Sequence, residues 1–141
     1  MVKRREVFTW KIGGVGGQGQ QAAGAVFAKA STRAGLRSVA YAEYPSIIRG
    51  GHGTTQVSVA PRVLAAPYRT VNLLVALNLE TIQQHATELS AGAAVIYDAS
   101  KITEGVGQYR QFPLRALPIN DLLQQANLPP LAANTIAVGA S

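Results

Sequence analysis

The chain has 141 residues, 48% hydrophobic and 14% charged, which makes it one folded domain in size and excludes disorder. Its net charge of +6 is spread along the chain apart from Lys3-Arg4-Arg5 and is not interleaved with aromatics, so nucleic acid fits poorly and anionic ligands or acidic protein partners fit better. The absence of cysteine excludes a disulfide, a zinc–thiolate site or an iron–sulfur cluster held by this chain, and no apolar run approaches the roughly 18 residues of a membrane span.

Val7–Ile12 reads as a buried first strand, and Glu6, Thr9 and Lys11 interrupt any leader-like run after the basic triplet, so a cytoplasmic location is expected. Gln18–Ala34 has a helical pattern with Ala22, Ala23, Val26, Phe27, Ala30 and Ala34 on one face and Gly35 as its stop. Gly24 lies mid-helix at a cost of about 1 kcal/mol relative to alanine, which close approach to a sheet would offset. Val39–Tyr44 is a second strand and Pro45–Gly53 a loop. Thr54–Ala60 alternates in polarity, which predicts a half-buried, antiparallel or edge strand. Pro61–Thr70 is an exposed connection with two prolines.

Val71–Leu77 and Ala93–Tyr97 are solid apolar runs of the kind found in parallel sheets. Between them Leu79–Leu89 is an amphipathic helix with Leu79, Ile82, Ala86 and Leu89 inward, and His85 on its polar side near Glu88 is expected at the surface. Leu114–Leu117 is a short strand and Asp121–Ala126 a short helix, which Pro129-Pro130 separates from another helix starting at Leu131. That last pattern is still under way at Ser141, which predicts that the natural polypeptide continues. The order predicts an α/β fold: three Rossmann-like layers, with a mixed, mostly parallel sheet and helices on both faces.

Two segments carry chemistry. The first is Gly13-Gly14-Val15-Gly16-Gly17-Gln18-Gly19, placed between a strand and a helix, where backbone N–H groups and a helix N-terminus meet phosphates. Gly14, Gly16 and Gly19 match the dinucleotide spacing, and Glu43 at the end of the second strand falls where a ribose-binding carboxylate would sit. The motif alone serves a dinucleotide, another phosphate ligand or plain strand-to-helix packing equally well. The second segment runs from Glu43 to His52. Arg49 beside Gly50 and Gly51 can present its fork to a carboxylate or phosphate, Ser46 offers a hydroxyl, and His52 can hydrogen-bond an anion or titrate near neutral pH. A contact in which Arg49 pairs with a partner's carboxylate explains the segment as well. Catalysis by His52 is disfavoured, because no nucleophile or second base stands at readable spacing.

Phe8–Gly19, the pair Ala23-Gly24, and Glu43-Tyr44-Pro45-Ser46-Ile47-Ile48-Arg49-Gly50-Gly51-His52 together resemble the gamma domain of 2-oxoacid:ferredoxin oxidoreductases. Asn134–Ala140 resembles a later helix of that family, so the likeness covers nearly the whole chain. The opening Phe8-Thr9-Trp10-Lys11-Ile12 is most similar to the form in which the gamma domain is fused ahead of the alpha domain, in enzymes of the 2-oxoglutarate type. Gln20-Gln21 departs from the family, which more often has an apolar residue there.

The resemblance implies oxidative decarboxylation of a 2-oxoacid such as pyruvate or 2-oxoglutarate to an acyl-coenzyme A. Thiamine diphosphate and iron–sulfur clusters would lie in partner domains or subunits, and ferredoxin would accept the electrons. This domain would be non-catalytic, would join alpha and beta subunits or domains, and would engage coenzyme A. The expected contact residues are Gly14, Gly16, Gly17, Gln18 and Gly19 of the first segment, with Ser46, Arg49, Gly50, Gly51 and His52 of the second. A stand-alone NAD-binding domain and a ligand-free scaffold are the alternatives.

Overall fold

The computed structural model describes residues 6–44 and 51–141. Its strands are β1 (Phe8–Val15), β2 (Arg37–Glu43), β3 (His52–Ala60), β4 (Val71–Ala76), β5 (Leu89–Asp98) and β6 (Leu114–Leu117). They form one sheet in the order β2-β3-β1-β4-β5-β6. β1, β4, β5 and β6 run parallel, and β3 is antiparallel to both β1 and β2. The helices are α1 (Gln20–Arg33), α2 (Leu79–His85), α3 (Ile119–Gln125) and α4 (Ala133–Gly139). The sheet is mixed and mostly parallel, as the element order predicts.

Side-chain alternation along the strands divides the core in two. On one face Trp10, Ile12, Val57 and Val75 meet Ala23 of α1, Ile119 and Leu123 of α3, and Ala137 of α4. Trp10 is fully buried, stacks on Phe27 at 4.7 Å, and donates its indole N–H to Ser141 Oγ at 3.0 Å. On the other face Leu74, Ala76 and Val95 meet Ile82 of α2 and Ile102.

β3 departs from the half-buried, possible edge strand that its alternation predicts. It lies between two strands, and Thr54, Gln56 and Ser58 are all buried. The connection 61–70 folds over their face. Gln56 Nε2 donates to the Tyr68 carbonyl, the Tyr68 N–H donates to Ser58 Oγ at 3.2 Å, and Ser58 Oγ lies 3.0 Å from Thr9 Oγ1. Gln56 and Ser58 are thus hydrogen-bonded within the protein rather than to solvent.

α1 also turns differently from its predicted face. Gln20, Ala23 and Gly24 are buried and Phe27 packs on the core, whereas Ala22, Val26 and Ala30 are exposed. Gly24 sets the seat: a side-chain carbon there would run into Thr55 Cγ2 of β3. Gly35 closes the helix at φ 90°, with the Leu36 N–H donating to Ser31 O at 3.0 Å. Leu89 begins β5 instead of ending α2, because Ala86–Glu88 tighten into a 3₁₀ turn.

Candidate functional site

β1 runs three residues beyond its predicted end because pairing to β3 continues through Gly13–Thr54, Gly14–Gly53 and Val15–His52. Gly13 and Gly14 are therefore strand residues. A Cβ on Gly13 would lie 2.6 Å from Thr81 Cγ2, and one on Gly14 3.0 Å from Leu77 Cβ. Close packing against these residues accounts for both glycines. The turn itself is Gly16–Gly19, with Gly17 at φ 93° and Gly19, the N-cap of α1, at φ 83°.

The same register brings the two glycine segments together. The Gly16 N–H donates to the Gly51 carbonyl at 2.8 Å. Gln18 folds back so that its Oε1 accepts from the Val15 N–H at 2.8 Å, and Gln20 Nε2 donates to the Val15 carbonyl at 2.7 Å. These bonds hold the turn open beside a cleft of about 310 Å³. Gly16, Gly17 and Gly19 line it, with Gln20 and Gln21 of α1, Glu43 at the end of β2, Tyr44 after it, and Thr55 of β3. The first N–H groups of α1 belong to this end of the helix and have no intrahelical acceptor. Asn134 of α4 supports the turn from behind, donating Nδ2–H to the Gly19 carbonyl at 3.3 Å.

The expected contact residues therefore divide. Gly16, Gly17 and Gly19 line the cleft, Gln18 and Gly51 shape it, and Gly14 lies in the strand. Ser46, Arg49 and Gly50 lie outside the described residues. His52 is in β3 on the face of Thr54 and Gln56, and its ring stacks on His85. Sequence reasoning missed Gln20, Tyr44 and Thr55 as lining residues, and Asn134 as a support. The register of β3, which would have placed them, has no local sequence signal.

His85 corrects the surface expectation. It is 5% exposed and belongs to a chain of polar contacts on the α2 face. His52 Nε2 lies 2.8 Å from His85 Nε2, His85 Nδ1 lies 3.0 Å from Glu88 Oε1, and Lys11 Nζ lies 2.7 Å from Glu88 Oε2. Facing a carboxylate, His85 Nδ1 carries its proton. The histidine pair then needs one proton between its two Nε2 atoms. With the pair neutral, His52 donates Nε2–H and its Nδ1 keeps a lone pair. A proton added to His52 turns its Nδ1 into an N–H. That Nδ1 is buried and has no hydrogen-bond partner among the described residues.

Burial, followed by the neighbouring His85, holds His52 below its ordinary pKa of 6.5. Burial pushes Glu88 up, but the hydrogen bonds from Lys11 and His85 outweigh it and leave the carboxyl below its ordinary 4.5. Both shifts mean that the unfolded chain binds more protons, so stability rises with pH. The histidine contribution is complete above pH 6.5 and is lost as pH falls through the folded value; that of Glu88 follows below pH 4.5. The melting temperature should therefore rise between pH 5 and pH 7, and His52→Gln should flatten that limb. An unchanged slope in the variant would remove His52 from the balance.

A larger hollow of about 560 Å³ lies over the polar sheet face, lined by Lys11, Tyr41, Gln56, Tyr68, Arg69 and Glu88. It shares only Glu43 with the cleft and is lined by no glycine of either segment, so the smaller cleft is the candidate site. Among the described residues no cluster of His, Cys, Asp and Glu could hold a metal ion, and no helix is long and apolar enough to cross a membrane.

A family model described as "Pyruvate ferredoxin/flavodoxin oxidoreductase" matches residues 9–141. Ketoisovalerate oxidoreductase subunit VorA of Methanothermobacter thermautotrophicus is 30% identical over 130 residues, covering 92% of this chain and 26% of the relative. 2-Oxoglutarate synthase subunit KorC of Archaeoglobus fulgidus is 31% identical over 133 residues, covering 92% of this chain and 66% of the relative. The fold superposes on a 2-oxoglutarate:ferredoxin oxidoreductase from Magnetococcus marinus with 2-oxoglutarate, coenzyme A and succinyl-CoA bound. The TM-score is 0.85 at 24% identity, over 96% of this chain and 24% of that one. It also superposes on the gamma subunit of a keto/oxoacid ferredoxin oxidoreductase from Geobacter sulfurreducens, with TM-score 0.78 at 23% identity, over 95% and 73% of the two chains.

Proposed function

Because the chain belongs to the pyruvate ferredoxin/flavodoxin oxidoreductase family, we propose that it is the gamma-type domain of a 2-oxoacid:ferredoxin oxidoreductase and that its glycine cleft engages coenzyme A. The reaction class joins a 2-oxoacid and coenzyme A to give an acyl-coenzyme A and carbon dioxide, with two electrons passing singly to ferredoxin. Thiamine diphosphate, when bound in the assembly, supplies the carbanion chemistry, and iron–sulfur clusters conduct the electrons. This chain has no cysteine to ligate a cluster, so clusters and thiamine diphosphate are assigned to alpha and beta partners. A cytoplasmic location goes with this reading.

One observation carries the coenzyme A assignment: the Gly16 N–H to Gly51 carbonyl bond, which joins the two glycine segments at one cleft. Left-handed Gly17 and Gly19 let phosphate oxygens approach the backbone, and the N-terminus of α1 adds its partial positive charge. The cleft is at the small end of ligand sites, so it takes a phosphate-bearing portion rather than the whole molecule. Its described lining includes Glu43 and no cationic residue. The balancing charge is assigned to Arg49.

The topology weighs against the NAD alternative. β3 stands between β1 and β2, so Glu43 is one strand farther from the glycine turn than the acidic residue of an adjacent parallel pair, roughly 5 Å. The scaffold alternative draws support from Gly13, Gly14 and Gly24, whose lack of a side chain packing alone explains. In the assembled enzyme Arg49→Ala should raise the KM for coenzyme A about ten-fold and leave that for the oxoacid nearly unchanged. Unchanged coenzyme A kinetics with failed assembly would favour the scaffold.

A further inference from the structure

The two edges of the sheet differ. β6 has 4 residues, whereas β2 has 7 and pairs with β3 on one side only among the described residues. Protein sheets blunt a free edge with proline, lysine, a bulge or a cover. β2 contains neither proline nor lysine, and its register with β3 runs unbroken from Arg37 to Glu43. Arg37, Ala40, Tyr41 and Glu43 are exposed, and Tyr41 is 50% accessible.

The sequence Arg37-Ser38-Val39-Ala40-Tyr41-Ala42-Glu43 is complementary to its own reversal. Inverted about Ala40, Arg37 faces Glu43, Val39 faces Tyr41, and the small Ser38 faces the small Ala42. Arg37, Val39, Tyr41 and Glu43 share one face of the strand, so these pairs lie side by side. We infer that two copies of this chain pair antiparallel through β2 about a two-fold axis at Ala40, continuing the sheet from one copy into the other.

Each favourable pair occurs twice by symmetry, as an isologous contact requires. Opposite charges and an aromatic against a β-branched residue are the cross-strand pairs that stabilise antiparallel ladders, by about 0.2–1 kcal/mol each. A register slipped by two residues separates both charge pairs, which fixes the alignment. The pairing also changes the candidate site. Glu43 lines both the glycine cleft and the larger hollow, so Arg37 of the second copy brings a cation to the point where the two adjoin. The pairing does not depend on what the cleft binds.

The chain has no cysteine, so Ala40→Cys in it supplies one defined thiol. In the protein purified with its natural partners, a short bismaleimide should join two Ala40→Cys chains into a species of twice the chain mass. Lys29→Cys, exposed on α1, should give none. Adding Arg37→Glu to the Ala40→Cys chain makes both charge pairs repulsive and should lower the yield about ten-fold, and adding Glu43→Arg as well should restore it. Restoration by charge exchange identifies direct pairing, which misfolding would not mimic. Labelling of the Ala40→Cys thiol without cross-linking, its protection by a different subunit, or failure of the charge exchange to restore the yield would each overturn the inference.

Discussion

Glu88→Leu is expected to lower the unfolding free energy by about 3 kcal/mol, measured by urea denaturation. Lys11 is 4% exposed and its ammonium is held by Glu88 Oε2 at 2.7 Å, while Glu88 Oε1 faces His85. Loss of the carboxylate strands a buried charge and a buried ring N–H together. Breaking a fully buried pair costs about 3–5 kcal/mol, and the exposed third of the Glu88 side chain places this case at the lower end. Removing both charges with Lys11→Met and Glu88→Leu should recover most of the loss, because a matched apolar pair replaces a buried ion pair at little cost. A single-variant loss below about 1 kcal/mol would mean that the pair behaves as a surface contact.

Gly19→Ala should combine two penalties. Its φ of 83° costs a side-chain-bearing residue about 1–2 kcal/mol. The new methyl also runs into Asn134 Nδ2, and overpacking of this kind adds about 1–3 kcal/mol. Gly17→Ala separates the two: φ is 93° there, but no atom lies within 4 Å of a Cβ, so only the backbone cost applies. The melting temperature should therefore fall more for Gly19→Ala than for Gly17→Ala, and adding Asn134→Ala to the former should close most of the gap. Equal losses in the two glycine variants would mean that Asn134 yields freely.

The element order and the mixed sheet were legible because apolar runs, alternation and glycine stops are local signals. The bound face of α1 was legible only in part: Ala23 and Phe27 reach the core, whereas Ala22, Val26, Ala30 and Ala34 do not. Alanine gives little hydrophobic contrast around a helix, and the deciding residue was Gly24, whose missing side chain admits Thr55. Likewise Thr54, Gln56 and Ser58 read as solvent-facing because nothing in β3 announces that the Tyr68 backbone will bond to Gln56 and Ser58. The glycine turn was visible as composition, but its boundary depended on β1 pairing through Gly13 and Gly14. His85 looked like a surface residue for the same reason: its partner His52, and the Lys11 that holds the other oxygen of Glu88, are distant in sequence and are brought there only by the sheet.

If the turn at Gly16–Gly19 and the segment at Gly51 form one cleft that engages coenzyme A, the ligand must order both at once. Amide hydrogen exchange on the complete oxidoreductase, with and without coenzyme A, reads this out. Exchange should slow about ten-fold or more at Gly17–Ala22 and at Gly51–Thr55 together, and not along α3. Protection confined to another subunit, with both segments unchanged, would place coenzyme A elsewhere.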